Sequence, residues 1–475
     1  MYIRNEDTIC APATVPGTGA ISVIRVSGPQ ALEIADKVIR CRKGTISSAN
    51  GYTLKFGTIT DDSGAVVDEV LASVFRAPHS YTGENSVEIS CHASLYIVST
   101  VMGLLHEAGA RAAEPGEFTQ RAYLNGKMDL AQAEAVADVI ASQNAAAHRI
   151  AFKQMKGGFS SELRDMRSEL LELVSLMELE LDFSEEEVEF ADRSRLNSLL
   201  SQIISHVTRL IDSFRLGNAI KNGVPVAIAG ATNTGKSTLL NALLGEDRAI
   251  VSDIHGTTRD TIEETLNIDG VLFRFIDTAG LRETDEVVEQ IGIERTFKKI
   301  SEASIVLGMI DLTRDLNTTC ETVRSIIEKV NFIDQKLVFL LNKTDISCDN
   351  NNVNVHNLVV SLLKDKKITA TTPIIPISAK VRTGIHDLRA FLSNSQRNLI
   401  TDSDTTLVTN QRHIQALTDA RTSLQRVRNG LAAGLPTDLA AQDIREAIYH
   451  LGSIVGEIST DEVLGNIFRN FCIGK

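Results

Sequence analysis

The fold class predicted for this 475-residue chain is multidomain, α/β and α: an N-terminal α/β domain, a central helical domain, and a second α/β domain, of P-loop type, inserted into the helical one. Length is the first reason, since 475 residues exceed one ordinary core and about two to four domains are the natural expectation. The second is a change of pattern, from short strand-like runs in the first 120 or so residues to helical periodicity from Asp129 onward. The third is that helical patterning flanks a stretch, Val224 to Leu392, in which strands and helices alternate. Two amphipathic flanks each need a partner, and chain ends that lie close together accept an insertion. The expected boundaries are 1–120 for the N-terminal domain, 121–221 with 393–475 for the helical domain, and 222–392 for the insert.

Taken in order, Ala20 to Val26, Leu54 to Ile59, Glu69 to Phe75 and Ser86 to Cys91 read as strands, because apolar residues recur between Gly, Asp and Pro breaks. An Ala-rich helical run follows Asp129. In Ser161 to Asp182 the residues Leu163, Met166, Leu170, Val174, Met177 and Leu181 recur at three- and four-residue steps, the stripe of a helix packing on a core. Glu185 to Glu187 is read as a solvated acidic loop. Val224 to Ala229 is an apolar strand delivering Gly230, and Ser237 to Leu244 is the helix after the loop. Val271 to Ile276 delivers Asp277, and Lys336 to Leu341 delivers Asn342. Each motif therefore sits at a strand end, where open α/β sheets bind ligands. Ser393 to Asn410 is polar and turn-rich, an exit from the insert, and helices resume over Arg412 to Leu431 and Leu439 to Ile458.

Four motifs stand in the order and spacing of a guanine-nucleotide switch. Gly230-Ala231-Thr232-Asn233-Thr234-Gly235-Lys236-Ser237 is G-x-x-x-x-G-K-S, whose amides and Lys236 cradle phosphates while the Ser237 hydroxyl reaches magnesium. Thr258, in Gly256-Thr257-Thr258-Arg259-Asp260, is a second metal-side hydroxyl once that segment closes over the γ-phosphate. In Asp277-Thr278-Ala279-Gly280 the carboxylate orients magnesium through water and the Gly280 amide registers the γ-phosphate. Asn342-Lys343-Thr344-Asp345 reads the base: the Asp345 carboxylate accepts from a ring N–H and the exocyclic amine of guanine, and adenine would leave it unpaired. GTP therefore outranks ATP. Ser378-Ala379-Lys380, after the Pro376-Ile377 run, fits the usual backbone contact to guanine, and Thr238 with Ser252, Asp253, Ile254 and His255 completes the nucleotide-binding set.

Position 281 is irregular. A Ras-like enzyme carries there a glutamine that orients the attacking water, and this chain has Leu281. Either hydrolysis is slow or another polar group enters, and Glu283, Asp285, Glu286 and Glu289 are candidates, as are Arg259 and Arg282 for an arginine finger. The residues alone leave that choice open.

Composition excludes several classes. Six cysteines without a C-x-x-C pair argue for reduced thiols and against a structural zinc site. No apolar run approaches the roughly 20 residues of a membrane span, and no signal peptide is visible, so a cytoplasmic protein without membrane contact is expected. A net charge of -13 disfavours a broad basic surface for nucleic acid, and the absence of Trp gives little support to a stacking platform.

Together with Arg25-Val26-Ser27-Gly28, Tyr81-Thr82-Gly83-Glu84, Pro115-Gly116-Glu117-Phe118-Thr119, Ala122 to Ala135 and the terminal Phe471-Cys472-Ile473-Gly474-Lys475, these motifs resemble the MnmE or TrmE family of tRNA-modification GTPases over the whole chain. The resemblance implies a folate-binding, dimerising N-terminal domain and G domains that pair across a homodimer. It implies a heterotetramer-like complex with a FAD- and NADH-dependent protein that modifies carbon 5 of the wobble uridine of certain tRNAs. The one-carbon source that the resemblance implies is 5-formyltetrahydrofolate or methylenetetrahydrofolate. By position, potassium falls to Asn233, Ser252, Ile254 and Thr257, standing in for an arginine finger, and Glu289 positions the attacking water through a bridging water. Folate falls to Arg25, Glu88, Lys127 and Lys475, and Cys472 matches the family's tail cysteine.

Three departures from the family pattern stand out. Thr232 replaces a common Pro and Ser252 a common Thr, and neither removes a needed oxygen or amide. Cys91-His92-Ala93-Ser94 stands where the family has Gly-His-Gly-Gly, and the added side chains are expected to narrow the folate pocket. The alternative from another class is a GTP-binding regulatory factor in ribosome assembly, which the switch motifs alone would serve equally well.

Overall fold

Residues 7–61, 63–182, 193–245, 264–276, 300–366, 368, 372–396, 406–433, 437–457, 464, 467–469, 471 and 474 are described by the computed structural model of the chain. They form two units. One comprises Met1–Ala141, Ala151–Arg209 and Arg412–Lys475, the other Ser142–Ile150 and Leu210–Gln411. As expected from the sequence, the fold class is mixed α/β with many helices.

The first unit opens with a seven-stranded sheet, in the order β3-β4-β5-β6-β2-β1-β7. The strands are β1 (Ile9–Pro12), β2 (Ser22–Ser27), β3 (Ile39–Cys41), β4 (Thr53–Thr60), β5 (Val66–Phe75), β6 (Ser86–Cys91) and β7 (Arg111–Ala112). Side chains alternate across a strand, so each strand divides its residues between two faces. On β2, β5 and β6 the buried residues Ile24, Val26, Val70, Ala72, Val74, Val87 and Ile89 share one core with Ala31, Leu32, Ile34 and Ala35 of the helix Ala31–Val38 and with Val101 and Leu105 of the helix Leu95–Glu107. The intervening residues belong to the opposite face. Arg25 and Glu88 lie there in direct register on the antiparallel pair β2 and β6.

The helical part of this unit packs the helix Gly158–Asp182 along the helix Thr437–Val455, with Leu130–Ala141 against the latter. The predicted stripe is buried: Leu163, Met166, Leu170, Val174 and Met177 are each at most 5% exposed. A charged cluster lies inside. Glu134 accepts two bonds from the Arg412 guanidinium, each 3.0 Å, and one contact of 2.6 Å from His413 Nε2. Arg412 also donates to the carbonyls of Ser453 and Ile454, which are the last-turn acceptors of Thr437–Val455 and have no partner within their helix. Through Arg412 and His413 on the helix Gln411–Ala432, one carboxylate thereby ties that helix to Leu130–Ala141 and, by the Arg412 guanidinium, to Thr437–Val455.

The second unit holds a six-stranded sheet, in the order β13-β12-β11-β8-β10-β9. Its strands are β8 (Val224–Ala229), β9 (Glu264–Ile268), β10 (Val271–Phe275), β11 (Ile305–Asp311), β12 (Lys336–Asn342) and β13 (Ile374–Pro376), parallel except for β9 against β10. Strands buried on both faces read as continuous apolar runs, as β11 and β12 do. Phe273, Leu307 and Leu340 join one core with Leu239, Leu243 and Leu388, while Val306, Phe339 and Leu341 join a second with Val323, Val355 and Val359. This unit takes in residues on both sides of 222–392, because the Val408 amide donates to Ser213 Oγ at 3.0 Å and Leu407 and Ile220 enter its core.

Candidate nucleotide site

β8 ends at Ala229, and the loop from Gly230 turns into the helix Lys236–Leu244, so the strand, loop and helix context of the phosphate motif is present. Gly235 caps that helix at φ +97, a conformation that L side chains rarely adopt, and a Cβ there would meet Asn342 Nδ2 at 2.6 Å. Asn233, at φ +60, is exposed at the outer bend. The Lys236 ammonium donates to the Gly230 and Ala231 carbonyls at 3.0 and 2.7 Å, and the Thr234 hydroxyl donates to Ala231 at 2.8 Å. Burial, with a smaller contribution from the Arg314 charge, pushes the Lys236 pKa below the ordinary lysine value. Ser237 is half-buried and Thr238 exposed in the first helical turn. A helix N-terminus directs backbone N–H groups and a positive dipole end outward, which favour an anion.

The base-reading motifs come together at the ends of β12 and β13. Asn342 is buried and joins three segments: its Nδ2 donates to the Thr234 carbonyl at 2.7 Å, and its Oδ1 accepts from the Ala379 amide at 3.0 Å. Asn342 thus fixes the phosphate loop to the 378–380 turn. The Thr344 amide donates to the Ile377 carbonyl at 3.3 Å, and the Ser378 hydroxyl donates to Asp345 Oδ1 at 2.6 Å. That bond holds the exposed Asp345 carboxyl below the usual carboxylate range, with lesser help from the charges of Lys380 and Lys343. At neutral pH Asp345 is an ionised acceptor at the 378–380 turn. Asp345→Asn is accordingly expected to lower GTP-over-ATP preference by about ten- to a hundredfold, because an amide presents a donor where guanine needs an acceptor. Competition between labelled GTP and ATP measures this, and an unchanged preference would remove Asp345 from base reading.

Asp311 was missing from the sequence reading. It ends the all-buried strand β11, and its carboxylate accepts from Lys343 Nζ at 2.7 Å and from the amide and hydroxyl of Thr313 at 3.0 and 2.7 Å. Burial opposes its ionisation, but these donors outweigh burial and hold its pKa below the ordinary value. An acid closing an apolar parallel strand was the signal that could have found it. Ser252, Asp253, Ile254, His255, Gly256, Thr257, Thr258, Asp277, Thr278, Ala279, Gly280 and Glu289 lie outside the described residues.

In the first unit, Arg25 and Glu88 form an ion pair on the sheet, with Nε and Nη2 both donating to the single oxygen Glu88 Oε1 at 3.0 and 2.8 Å. The guanidinium carbon stands 5.2 Å from the Tyr81 ring and 5.6 Å from the Phe118 ring, two aromatic neighbours that the sequence reading did not assign. Arg25 Nη1 also donates to the Gly474 carbonyl at 3.4 Å, so residue 474 of the tail reaches the pair. Lys127 instead donates to the Pro78 carbonyl at 3.0 Å, on the turn that carries Tyr81. Cys472 and Lys475 lie outside the described residues. The expected narrowing at Cys91 to Ser94 does not follow from Cys91, because alternation turns it into the core shared with the helices, on the face opposite Glu88. His92 is largely exposed and pairs with Asp68 at 2.8 Å.

Residues 130–472 match the family model described as the MnmE helical domain, and residues 8–127 match that of the GTP-binding protein TrmE N-terminus. A protein of Parabacteroides distasonis named tRNA modification GTPase MnmE is 52% identical over 98% of this chain and 100% of its own length. One of the same name from Christiangramia forsetii is 50% identical over 100% of both. Among solved structures, Era from Aquifex aeolicus bound to GDP and aluminium fluoride is 27% identical over 42% of this chain and 66% of that one, with a TM-score of 0.27.

Proposed function

The chain belongs to the MnmE family of tRNA modification GTPases, and from that premise we propose that it is a potassium-dependent GTPase which, with a FAD- and NADH-dependent partner, modifies carbon 5 of the wobble uridine of certain tRNAs. The observation carrying the nucleotide assignment is Asn342, whose one side chain joins the phosphate loop to the turn behind the base-reading carboxylate. Full-length similarity, including the N-terminal domain, favours tRNA modification over ribosome assembly.

In this reading the charge that spreads over the transferred phosphoryl group is met by the loop amides and the Lys236 ammonium. Lys236 holds the Gly230 and Ala231 carbonyls with two of its three ammonium donors, which leaves the third for a phosphate oxygen. Ser237 and Thr258, with Asp277 acting through water, would hold magnesium, which would supply charge neutralisation of the phosphates, and Asn233, Ser252, Ile254 and Thr257 would hold potassium, which would supply the positive charge of an arginine finger. The outward-facing, positive-φ Asn233 fits a cation ligand at the loop's bend. Glu289 positions the attacking water, which Leu281 cannot.

The Arg25 and Glu88 pair suits a folate. A guanidinium can take the ligand's carboxylates, a carboxylate its amino-bearing ring, and Tyr81 and Phe118 supply apolar surface. Lys127 and Lys475 complete the proposed site, with a homodimer as the working assembly. Among the described residues no helix is long and apolar enough to cross a membrane, and the cytoplasm is the proposed location.

Wobble uridines of cellular tRNA, analysed as nucleosides with and without this chain, test the whole reading. Loss of a carbon-5 aminomethyl-type group is expected, and an unchanged nucleoside profile would overturn it. At matched ionic strength, hydrolysis is expected to rise at least about tenfold in potassium over sodium, which is too small to bridge loop and phosphates comfortably. Equal steady-state rates in the two salts would remove the coordinated cation.

A further inference from the structure

Arg314 lies outside every motif of the nucleotide site and yet reaches into it. It follows β11 in the turn Asp311-Leu312-Thr313-Arg314, closed by the Arg314 amide donating to the Asp311 carbonyl at 3.3 Å. Its Nη2 donates to the Thr232 carbonyl at 2.7 Å, and its Nε stands 3.9 Å from Asp311 Oδ2. Asp311 in turn accepts from Lys343, so one carboxylate joins the turn to the base-reading motif.

A phosphate cradle needs its N–H groups facing the anion, which requires its carbonyls to face elsewhere and find donors. Asn342 satisfies the Thr234 carbonyl, and Arg314 satisfies that of Thr232 two residues earlier. Thr232 itself is exposed, and its carbonyl belongs to the peptide leading into Asn233, the non-glycine residue of the loop held at positive φ, +60. Arg314 also brings a permanent cation close enough to act on the Lys236 ammonium, with a side chain one-third exposed.

We infer that Arg314 is a positioning residue for the nucleotide: it holds the Thr232 carbonyl outward and adds its charge to the phosphate site, so it strengthens GTP and GDP binding and speeds their association. This rests on the assignment of the Gly230 to Ser237 loop as the phosphate site. Loss of one charge-assisted bond and one nearby cation is expected to weaken affinity about tenfold in Arg314→Ala.

The test measures binding and association rates of fluorescent GDP and a non-hydrolysable GTP analogue over a range of salt, using the full chain and Arg314→Ala, Arg314→Gln and Arg314→Lys. Association should become less salt-dependent in the alanine and glutamine variants and recover in the lysine variant, because steering follows charge. A merely structural role would weaken binding without moving the salt dependence. Lys236→Ala is the control for the site. If that control weakens binding while Arg314→Ala and Arg314→Gln bind as the parent does, or bind weakly with the parent's salt dependence, the role of Arg314 is overturned and the site stands. If the control leaves binding unchanged, the site assignment fails, and this inference with it. Thermal unfolding identifies any variant that fails to fold, and the lysine and glutamine variants then still decide the question.

Discussion

Glu289→Ala is expected to bind GTP about as tightly as the parent and to hydrolyse it on the order of a hundred- to a thousandfold more slowly. Position 281 holds leucine, so no side-chain amide follows Gly280 to orient water, and the family resemblance gives that task to Glu289. The ground-state contacts are elsewhere. Lys236, Asn342 and Asp345 hold their partners within residues 230–236 and 342–379, and none of those bonds involves residue 289. An interaction made only in the transition state lowers turnover without lowering affinity. Nucleotide affinity and single-turnover hydrolysis in saturating potassium measure the two separately. A parallel collapse of affinity would make Glu289 a structural support, and an unchanged rate would place it on a solvated helix face.

Glu134→Ala should destabilise the helical part of the first unit by about 3–5 kcal/mol, because removing one partner strands buried charge and hydrogen-bonding groups. Glu134 and His413 are 8% and 2% exposed, and Arg412 would lose both bonds to the carboxylate while keeping its carbonyl partners at Ser453 and Ile454. His413 Nδ1 has no hydrogen-bond partner among the described residues, and its ring centroid lies 5.4 Å from that of Phe159. The pH dependence has a definite sign. Burial raises the Glu134 pKa, but the charges and bonds of His413 and Arg412 outweigh it and bring the carboxyl down to about 2 from 4.5. A depressed carboxylate contributes stability fully present above the unfolded value of 4.5 and lost as pH falls towards 2. Calorimetric unfolding of the parent and Glu134→Ala should therefore differ most at pH 7 and converge as pH drops below about 4.5. A difference independent of pH would mean that packing, rather than charge, holds the three helices.

The sequence by itself determined what depends on local order. G-x-x-x-x-G-K-S specifies a loop between strand and helix because its glycines and its lysine do their work within eight consecutive residues. The buried strands β8 and β12 announce themselves as apolar runs, and the stripe Leu163 to Met177 announces a helix, because periodicity is a local property. Strand alternation also placed Arg25 and Glu88 on single strands without showing that they meet. Only the tertiary structure could bring together residues whose partners are far away in the chain. Asp311 and Arg314 reach Lys343 and Thr232 because β11 lies between β8 and β12, an order of strands that no local pattern records. Glu134 meets Arg412 and His413 across 278 and 279 positions, and Arg25 meets the carbonyl of Gly474 across 449. Cys91 reads from the sequence as an obstruction beside Glu88, yet the pleat of β6 sends it to the other face of the sheet. Hydrogen bonds and charge act over a few ångströms of space, whereas sequence patterns report only a few residues of chain.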